Sequence, residues 1–172
     1  MIVELEERHI SDIAYAQVLA WKKAFKRILS DKNLASLQVE DFERNWKQII
    51  QQTQRKNLVW LTEEGKAVGF VSFGKPKDKN ESADLEIYGI YVHPDYWNQK
   101  VGFGLMKSAT DYIQQHSLGS KVILWVMEKN QRSRKFYKRF GFTSNGASRT
   151  SMRNSENFKE VQYFLVLKPT GQ

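Results

Sequence analysis

The first fifty residues carry apolar side chains at a helical period. In the first stretch these positions are three or four residues apart, which places them on one face of a helix, and Ser11 precedes them as a candidate N-cap. The stripe consists of Ile13, Ala16, Ala20, Ala24 and Ile28. A second stripe, formed by Phe42, Trp46, Ile49 and Ile50, predicts a helix over about residues 39–53.

From residue 58 onward the period changes to that of β-strands. Residues 58–62 and 67–73 are rich in β-branched and aromatic side chains, and the sequence EEGK between them is typical of a hairpin. Residues 85–92, LEIYGIYV, predict another strand, in which Gly89 indicates a bulge. This strand should end at His93-Pro94, because proline has no N–H to donate to a neighbouring strand.

The pattern then alternates between helix and strand. An apolar stripe of Leu105, Met106, Ala109, Tyr112 and Ile113 predicts a helix that ends near His116. Residues 121–126 predict a buried strand, and residues 133–140 a short helix that ends at Gly141 as a C-cap.

Residues 142–152 and 161–167 predict a closing antiparallel pair. The order of elements indicates a mixed α/β sheet, in which the strand–helix–strand unit over residues 85–126 is parallel and right-handed.

The composition narrows the class of protein. A chain of 172 residues is predicted to form one domain, residues 1–172. There is no cysteine, which excludes disulfides and thiolate ligands and agrees with a cytoplasmic protein. The three histidines lack metal-ligand spacing, so no metal site is predicted. The amino terminus does not resemble a signal peptide, and no apolar run is long enough to cross a membrane.

The net charge of +8 favours anionic partners. Between residues 128 and 139 there are six basic side chains and one acidic one. Taken alone, such a run is most simply a solvated helix face. The basic side chains are Lys129, Arg132, Arg134, Lys135, Lys138 and Arg139.

Two glycines, Gly102 and Gly104, stand where the helix after the long strand begins. The first amides of a helix have no internal partner and lie at its positive end, so that they bind phosphate. A dinucleotide motif needs a third glycine where this chain has Lys107, and the P-loop pattern is absent. Coenzyme A is the remaining candidate ligand. The alternative is tight packing of helix against strand with no ligand.

At these residues the sequence resembles the GNAT superfamily of N-acetyltransferases. Residues 99–104, QKVGFG, match the pyrophosphate motif [Q/R]-x-x-G-x-[G/A] of that family at its three fixed positions. The preceding LEIYGIYVHPDYW and the later WVMEKNQRSRKFYKRFGF resemble the strand and the second cofactor segment of the family. The resemblance covers about residues 58–167.

The resemblance implies a GNAT-like fold, in which a central mixed, mostly antiparallel sheet contains one parallel strand–helix–strand unit and has helices on both faces. It divides the domain into acceptor-side helices (1–57), the core sheet and pyrophosphate loop (58–128), and a second cofactor segment with the closing strands (129–172).

The resemblance also implies that acetyl-CoA is the co-substrate and that no metal is needed. The residues that match the cofactor-binding positions of the family are Ile90, Tyr91, Val92, Gln99, Lys100, Val101, Gly102, Phe103, Gly104, Leu105, Asn130, Ser133, Phe136 and Tyr137. For Asn130, the alternative is a plain helix N-cap.

Direct attack of an amine on the thioester is the reaction that the resemblance implies. An alkylamine must first lose a proton, which costs about 4.6 kcal/mol at pH 7. Glu86 matches the position of the family's proton-relaying carboxylate, with Asp84 as a second candidate. The alternative for Glu86 is a surface ion pair with a lysine. A backbone N–H near Tyr91 or Val92 is the implied oxyanion donor.

Tyr137 matches the family's tyrosine acid, which protonates the departing thiolate. We expect Lys135, Lys138 or Arg139 to lower the pKa of this tyrosine. The alternative is that Tyr137 is a packed helix residue.

The acceptor is expected to bind beside the leading helices, and the implied substrate-binding residues are Trp21, Phe25, Glu86 and Tyr88. A small amine, a polyamine or an antibiotic-like amine is favoured over a protein N-terminus, although the net charge of +8 argues against polyamines. A non-catalytic acyl-CoA sensor and a basic nucleic-acid module are the alternative functions. Neither a nucleic-acid nor a membrane partner is predicted, and the protein is expected to be a monomer or a homodimer.

Overall fold

The structure is a computed structural model that describes residues 1–169. It contains a seven-stranded sheet in the order β1-β2-β3-β4-β5-β7-β6. The strands are β1 (Ile2–Glu4), β2 (Arg55–Leu61), β3 (Ala67–Gly74), β4 (Leu85–Val92), β5 (Lys121–Met127), β6 (Thr143–Arg153) and β7 (Glu156–Val166). All neighbouring strands pair antiparallel except β4 and β5, which are parallel. The predicted mixed, mostly antiparallel fold is confirmed.

Within residues 1–169, five α-helices cover the two faces of the sheet. They are α1 (Ile10–Ala24), α2 (Asp31–Ala35), α3 (Val39–Ile49), α4 (Val101–Gln115) and α5 (Gln131–Phe140). Phe70 of β3 packs with the apolar faces of α1 and α3 in one core cluster, whereas its neighbour Val71 packs with α4 and with Tyr137 of α5 in another. Successive strand residues point to opposite faces, so one strand contributes to both clusters.

Several boundaries differ from the sequence prediction. Ser11 lies inside α1, because a 3-10 turn over Glu7–His9 leads directly into the helix and His9 is its N-cap residue. The His9 side chain does not cap α1; its Nδ1 accepts the Glu6 amide at 3.1 Å in the capping box of the 3-10 turn. The predicted helix over residues 39–53 ends at Ile49. Strand β1 and helix α2 were not predicted, because three and five residues are too few to show a period.

The long strand β4 bends away from β5. Gly89 pairs with Ser72 of β3 while Ile87 pairs with Phe73, so Tyr88 is an extra residue and the predicted bulge is present. β4 and β5 pair only over residues 85–87 and 122–124. A bulge bends a strand and increases its twist, which explains why the pairing stops there. The two strands therefore separate and leave an opening at the middle of the sheet.

Among residues 1–169, no helix is both long enough and apolar enough to span a membrane. As predicted, β4 ends at Val92, immediately before His93-Pro94.

Candidate active site

A cavity of about 690 Å³ fills the opening between β4 and β5. Both separating strands line it, together with the first turn of α4, one side of α5, the end of α1 and two residues of β7. We call it the central cavity. Beyond the three paired residues, the edges of β4 and β5 that face each other have no strand partner. Their free backbone groups can bind an extended ligand in the way that a strand binds another strand.

The first turn of α4 forms one end of the central cavity. Lys100 precedes the helix with a left-handed φ of 63°, and the helix begins at Val101. The first amide in this turn that is bonded inside the helix is that of Gly104, which donates to the Lys100 carbonyl at 2.9 Å. Val101, Gly102 and Phe103 line the cavity, and their amides precede the first intrahelical bond. Free amides at the positive end of a helix can bind phosphate.

The two glycines of this turn have different surroundings. A Cβ on Gly102 would lie 3.6 Å from the Phe136 ring, an ordinary contact, and this position borders the cavity. A Cβ on Gly104 would lie 2.6 Å from the Trp60 ring of β2, on the packed side of the helix. At Gly104, whose amide is bonded to Lys100, the alternative considered for these glycines applies: close packing of helix against sheet requires the glycine. Leu105 is fully buried.

Gln99, the first fixed residue of the motif, does not line the central cavity. Its side-chain amide donates to the Asp95 carbonyl at 2.8 Å and holds the loop that precedes α4. Its contribution is to the shape of the loop.

Basic side chains surround the same end of the central cavity. Four of the cavity-lining residues are basic: Lys100, Arg132, Lys135 and Arg139. The Arg132 guanidinium stacks on the Trp97 ring, with its Cζ atom 3.8 Å from the ring centroid. Burial lowers the pKa of Arg132, which nevertheless remains a cation because arginine starts above 12. The run of basic residues 129–139 is therefore not simply a solvated helix face, because some of its members line the central cavity.

Helix α5 contributes Asn130, Ser133, Phe136 and Tyr137 to the cavity wall. The Asn130 side-chain oxygen accepts the Ser133 amide at 3.2 Å, so Asn130 is the N-cap of the helix and also a wall residue. Tyr137 is 8% exposed and packs against Phe136 and against Phe142.

The surroundings of Tyr137 shift its pKa in the direction opposite to our expectation. Burial raises the pKa of Tyr137, and the nearby Tyr91 raises it further. The expected lowering of this pKa by the cations of α5 is absent, because burial is the largest influence on the group. Tyr137 is therefore protonated at neutral pH, as an acid must be, but it is a weaker acid than free tyrosine.

Glu86 does not line the central cavity. Its side chain is buried, and Oε2 accepts the Lys77 amide at 2.8 Å on the far side of the bulge. The alternative for Glu86, a surface ion pair with a lysine, is also not found among the described residues. The partner of the Glu86 carboxylate is the backbone amide of Lys77. Asp84 accepts the amides of Ser120 and Lys121 at 2.8 and 2.9 Å and fastens the start of β4 to that of β5.

The other predicted acceptor residues also line the central cavity, where α1 ends. Trp21 of α1 and Phe25, the residue after that helix, have ring centroids 5.4 Å apart, and Tyr88 and Tyr91 of β4 line the cavity as well. Cations contact two of these rings: Arg153 Cζ lies 4.4 Å from the Trp21 ring centroid and Arg55 Cζ 4.7 Å from that of Tyr88. Phe25 also belongs to the core, so packing and cavity lining are combined in one side chain. Burial raises the pKa of Tyr91 to about 12. The nearby indole N–H of Trp21 lowers this pKa slightly, although the N–H does not form a hydrogen bond with any described residue.

Phe158 and Glu160 of β7 line the same cavity and were not predicted. Glu160 Oε1 accepts from Arg149 Nε at 2.9 Å and from the Ser151 hydroxyl at 2.5 Å. The acid lies opposite Arg149 in the register of β6 and β7. The alternation of residues along the closing hairpin could have predicted that Arg149 and Glu160 lie opposite each other. It could not have shown that β7 lies next to β5, which is what brings Glu160 to the cavity.

Comparison with known proteins identifies the family. The model of the acetyltransferase (GNAT) family matches residues 21–142. The chain belongs to this family. The resemblance found in the sequence and the expectation of an acyltransferase are thereby confirmed.

Three relatives illustrate the range of similarity. The uncharacterized N-acetyltransferase YuaI of Bacillus subtilis is 31% identical over 127 residues, which cover 74% of this chain and 71% of that protein. The PaiA N-acetyltransferase of Thermoplasma acidophilum, crystallised with coenzyme A, has a TM-score of 0.73 at 16% identity and covers 96% of this chain and 98% of its own. The ribosomal-protein-S18-alanine N-acetyltransferase of Escherichia coli has a TM-score of 0.67 at 19% identity, covering 100% and 96%. At such identities the two structures show a shared fold.

Proposed function

We propose that the protein moves an acetyl group from acetyl-CoA to a primary amine by direct attack in a ternary complex. The observation that carries the proposal is the central cavity itself, which has three free helix amides and four cations at one end and unpaired strand edges along its length. Coenzyme A has the same sequence of chemical groups, with phosphates followed by an arm of amides. A structural neighbour was crystallised with coenzyme A.

The phosphates would bind at the amides of Val101, Gly102 and Phe103, with the neighbouring cations neutralising their charge. The pantetheine arm would lie along the free edge of β4, where its amides replace the strand partner that β5 does not provide. A backbone N–H of this edge, near Tyr91 or Val92, would stabilise the oxyanion.

In the reaction, the amine nitrogen forms a bond to the thioester carbon, the C–S bond breaks, and the sulfur keeps the electron pair. Tyr137 would stabilise the thiolate. With ordinary pKa values the transfer of its proton to sulfur is uphill by about 2 kcal/mol, and the raised pKa of Tyr137 increases that cost. A hydrogen bond from the tyrosine to the developing thiolate needs no complete transfer and is the role we assign. The ammonium proton leaves to solvent, because Glu86 lies outside the cavity.

The acceptor in this proposal is a small amine, a polyamine or an antibiotic-like amine in preference to a protein N-terminus. Trp21 and Phe25 narrow the acceptor end of the cavity, which suits a small molecule better than a chain terminus. The neighbour that acts on ribosomal protein S18 shares the fold at 19% identity and carries no argument about the acceptor.

Two measurements test the proposal. Acetyl-CoA at micromolar concentration should raise Tm, because a ligand that binds only the folded state stabilises it. A panel of primary amines should then release free thiol from acetyl-CoA at a rate that depends on amine concentration. A rise in Tm without thiol release from any amine would mean that the protein is an acyl-CoA sensor. If Tm stays constant up to millimolar acetyl-CoA, both the acetyltransferase and the acyl-CoA sensor are excluded.

A further inference from the structure

The charges that line the central cavity are separated by sign. Within residues 1–169, Glu160 is the only acidic residue of the cavity wall, whereas Lys100, Arg132, Lys135 and Arg139 are basic. The cations belong to the first turn of α4 and to α5, and the acid to β7, whose neighbour in the sheet is β5. The lining acid thus lies on a different element from the lining cations, and it is itself ion-paired with Arg149.

The side chain of Glu160 is held in place by one of its two oxygens. Oε1 accepts from Arg149 Nε at 2.9 Å and from the Ser151 hydroxyl at 2.5 Å. The Arg149 guanidinium in turn lies 4.3 Å from the centroid of the Trp125 ring, which fixes its plane. Oε2 has no hydrogen-bond donor among the described residues, and the side chain is only 15% exposed. The carboxylate is therefore oriented but keeps a free acceptor.

Aromatic rings surround this acid. Trp21, Phe25, Tyr91 and Phe158 line the same cavity. The ring centroid of Trp21 lies 5.4 Å from that of Phe25 and 5.8 Å from that of Tyr91. Aromatic faces bind flat apolar groups and cations, so a molecule that has both would fit between the rings and the acid.

We propose that Glu160 binds the amino group of an acceptor that carries a single positive charge and an aromatic body, as in an arylalkylamine. The group arrives as an ammonium, its proton passes to solvent, and the neutral nitrogen then attacks the thioester. This inference rests on the proposed function and narrows its substrate class. Glu160 is already ion-paired with Arg149, so it offers the ligand one free acceptor, Oε2. The second and third charges of a polyamine would meet a wall whose other charged residues, among those described, are all basic. Glu160 thus selects and orients the acceptor, and Arg149 and Ser151 position Glu160.

The test compares two classes of amine and two variants, with thiol release as the readout. For the wild-type protein, kcat/KM should be at least roughly tenfold higher for 2-phenylethylamine and tyramine than for putrescine and spermidine, since a tenfold ratio needs only about 1.4 kcal/mol. In Glu160→Gln the KM for 2-phenylethylamine should rise roughly 10–100-fold, as for the loss of a hydrogen bond to a charged group. The KM for acetyl-CoA should not change.

Glu128→Gln is the matched control. Glu128 is paired with Lys159 at 2.8 Å outside the cavity, and this variant undergoes the same chemical change at a neighbouring element. It should keep the kinetics of the wild type. If the KM for the aromatic amine rises equally in both variants, the inference is overturned. The rise would then come from the change in net charge and not from the loss of a contact with Glu160.

The failures of the two proposals are distinguishable. If the wild type turns over amines but prefers spermidine, or if Glu160→Gln keeps the wild-type KM for the amine, the inference alone is overturned. If no amine releases thiol, the proposed function fails and the inference with it. Should Glu160→Gln not fold, the wild-type comparison of aromatic amines with polyamines decides by itself.

Discussion

Gly102 and Gly104 are two residues apart, yet the structure gives them opposite roles. Alanine at Gly102 would place a methyl group at the cavity wall, where the proposed phosphate lies, and its contact with Phe136 at 3.6 Å is unstrained. We expect Gly102→Ala to leave Tm unchanged or to raise it slightly, through the better helix propensity of alanine, and to weaken acetyl-CoA binding by roughly tenfold, about 1.4 kcal/mol. Thermal unfolding with and without acetyl-CoA measures both effects.

Gly104→Ala is the comparison variant. Its methyl group would lie 2.6 Å from the Trp60 ring. Overpacking of this kind costs about 1–3 kcal/mol, and the better helix propensity of alanine recovers up to about 1 kcal/mol. We expect a net loss near 1 kcal/mol, which lowers Tm by about 2–4 °C in a chain of this size. Equal losses of cofactor affinity in both variants would contradict the assignment of separate roles.

Tyr137→Phe removes one hydroxyl from the cavity wall and leaves the packed ring. Since the hydroxyl is assigned to the developing thiolate, kcat should fall by roughly 10²–10⁴-fold, the usual range for such groups. The ring contacts with Phe136 and Phe142 are kept, so the variant should still bind acetyl-CoA.

The pH profile gives a second check on Tyr137. Its pKa is raised, so the group stays protonated through neutral and mildly alkaline pH and should cause no decline in kcat below pH 10. A decline near pH 9 that disappears in Tyr137→Phe would show that its pKa is instead lowered in the complex. Near-wild-type kcat in the variant would reject the role.

At the scale of elements, the separation of β4 from β5 depends on where their pairing starts and stops. Asp84 fixes the start, because its carboxylate accepts the amides of Ser120 and Lys121. These two amides lower the pKa of Asp84. A depressed carboxyl pKa contributes stability that is present above the unfolded value of about 3.9 and is lost as pH falls through the folded pKa.

Asp84→Ala should therefore lower Tm at pH 7 by only about 1–2 °C, because Asp84 is exposed and solvent screens its charge. The difference between wild type and variant should shrink as the pH falls below about 3.9, and the charge-dependent part should vanish below the lowered folded pKa, where the native carboxylate is protonated. Glu63→Ala, at an exposed carboxylate in the β2–β3 hairpin, serves as the control and should show no such pH dependence. A difference in Tm that is the same at pH 7 and pH 3 would mean that the charge is irrelevant.

The elements that the sequence predicted well are those with a clear period or a clear stop signal. β4 was predicted at its observed bounds because LEIYGIYV ends at a proline, and α4 because its stripe is continuous. Glu160 could not be found in this way, since its place in the cavity depends on β7 inserting between β5 and β6. Glu86 was misplaced for a related reason, because the bulge at Tyr88 changes which side chains of β4 face the opening.

For the molecule as a whole, part of the net charge of +8 is concentrated at the central cavity. Four of the basic residues stand around the first turn of α4 and along α5, next to the free amides. The family motif located the amides, but the sequence did not show which of the six clustered cations reach the cavity. Of that run, the structure places Arg132, Lys135 and Arg139 in the wall.

The proposed phosphate site predicts a specific dependence on salt. The screening length falls from about 10 Å at 0.1 M to about 3 Å at 1 M ionic strength. Over that range the Kd of acetyl-CoA should rise about fivefold, close to 1 kcal/mol, whereas that of S-acetyl-pantetheine, which lacks the phosphates, should stay constant. The double variant Lys135→Gln/Arg139→Gln should reduce the dependence, and Lys47→Gln, on the exposed side of α3, should preserve it. An equal salt effect on both ligands would contradict a phosphate site at α4, because the unphosphorylated arm has no charge to screen.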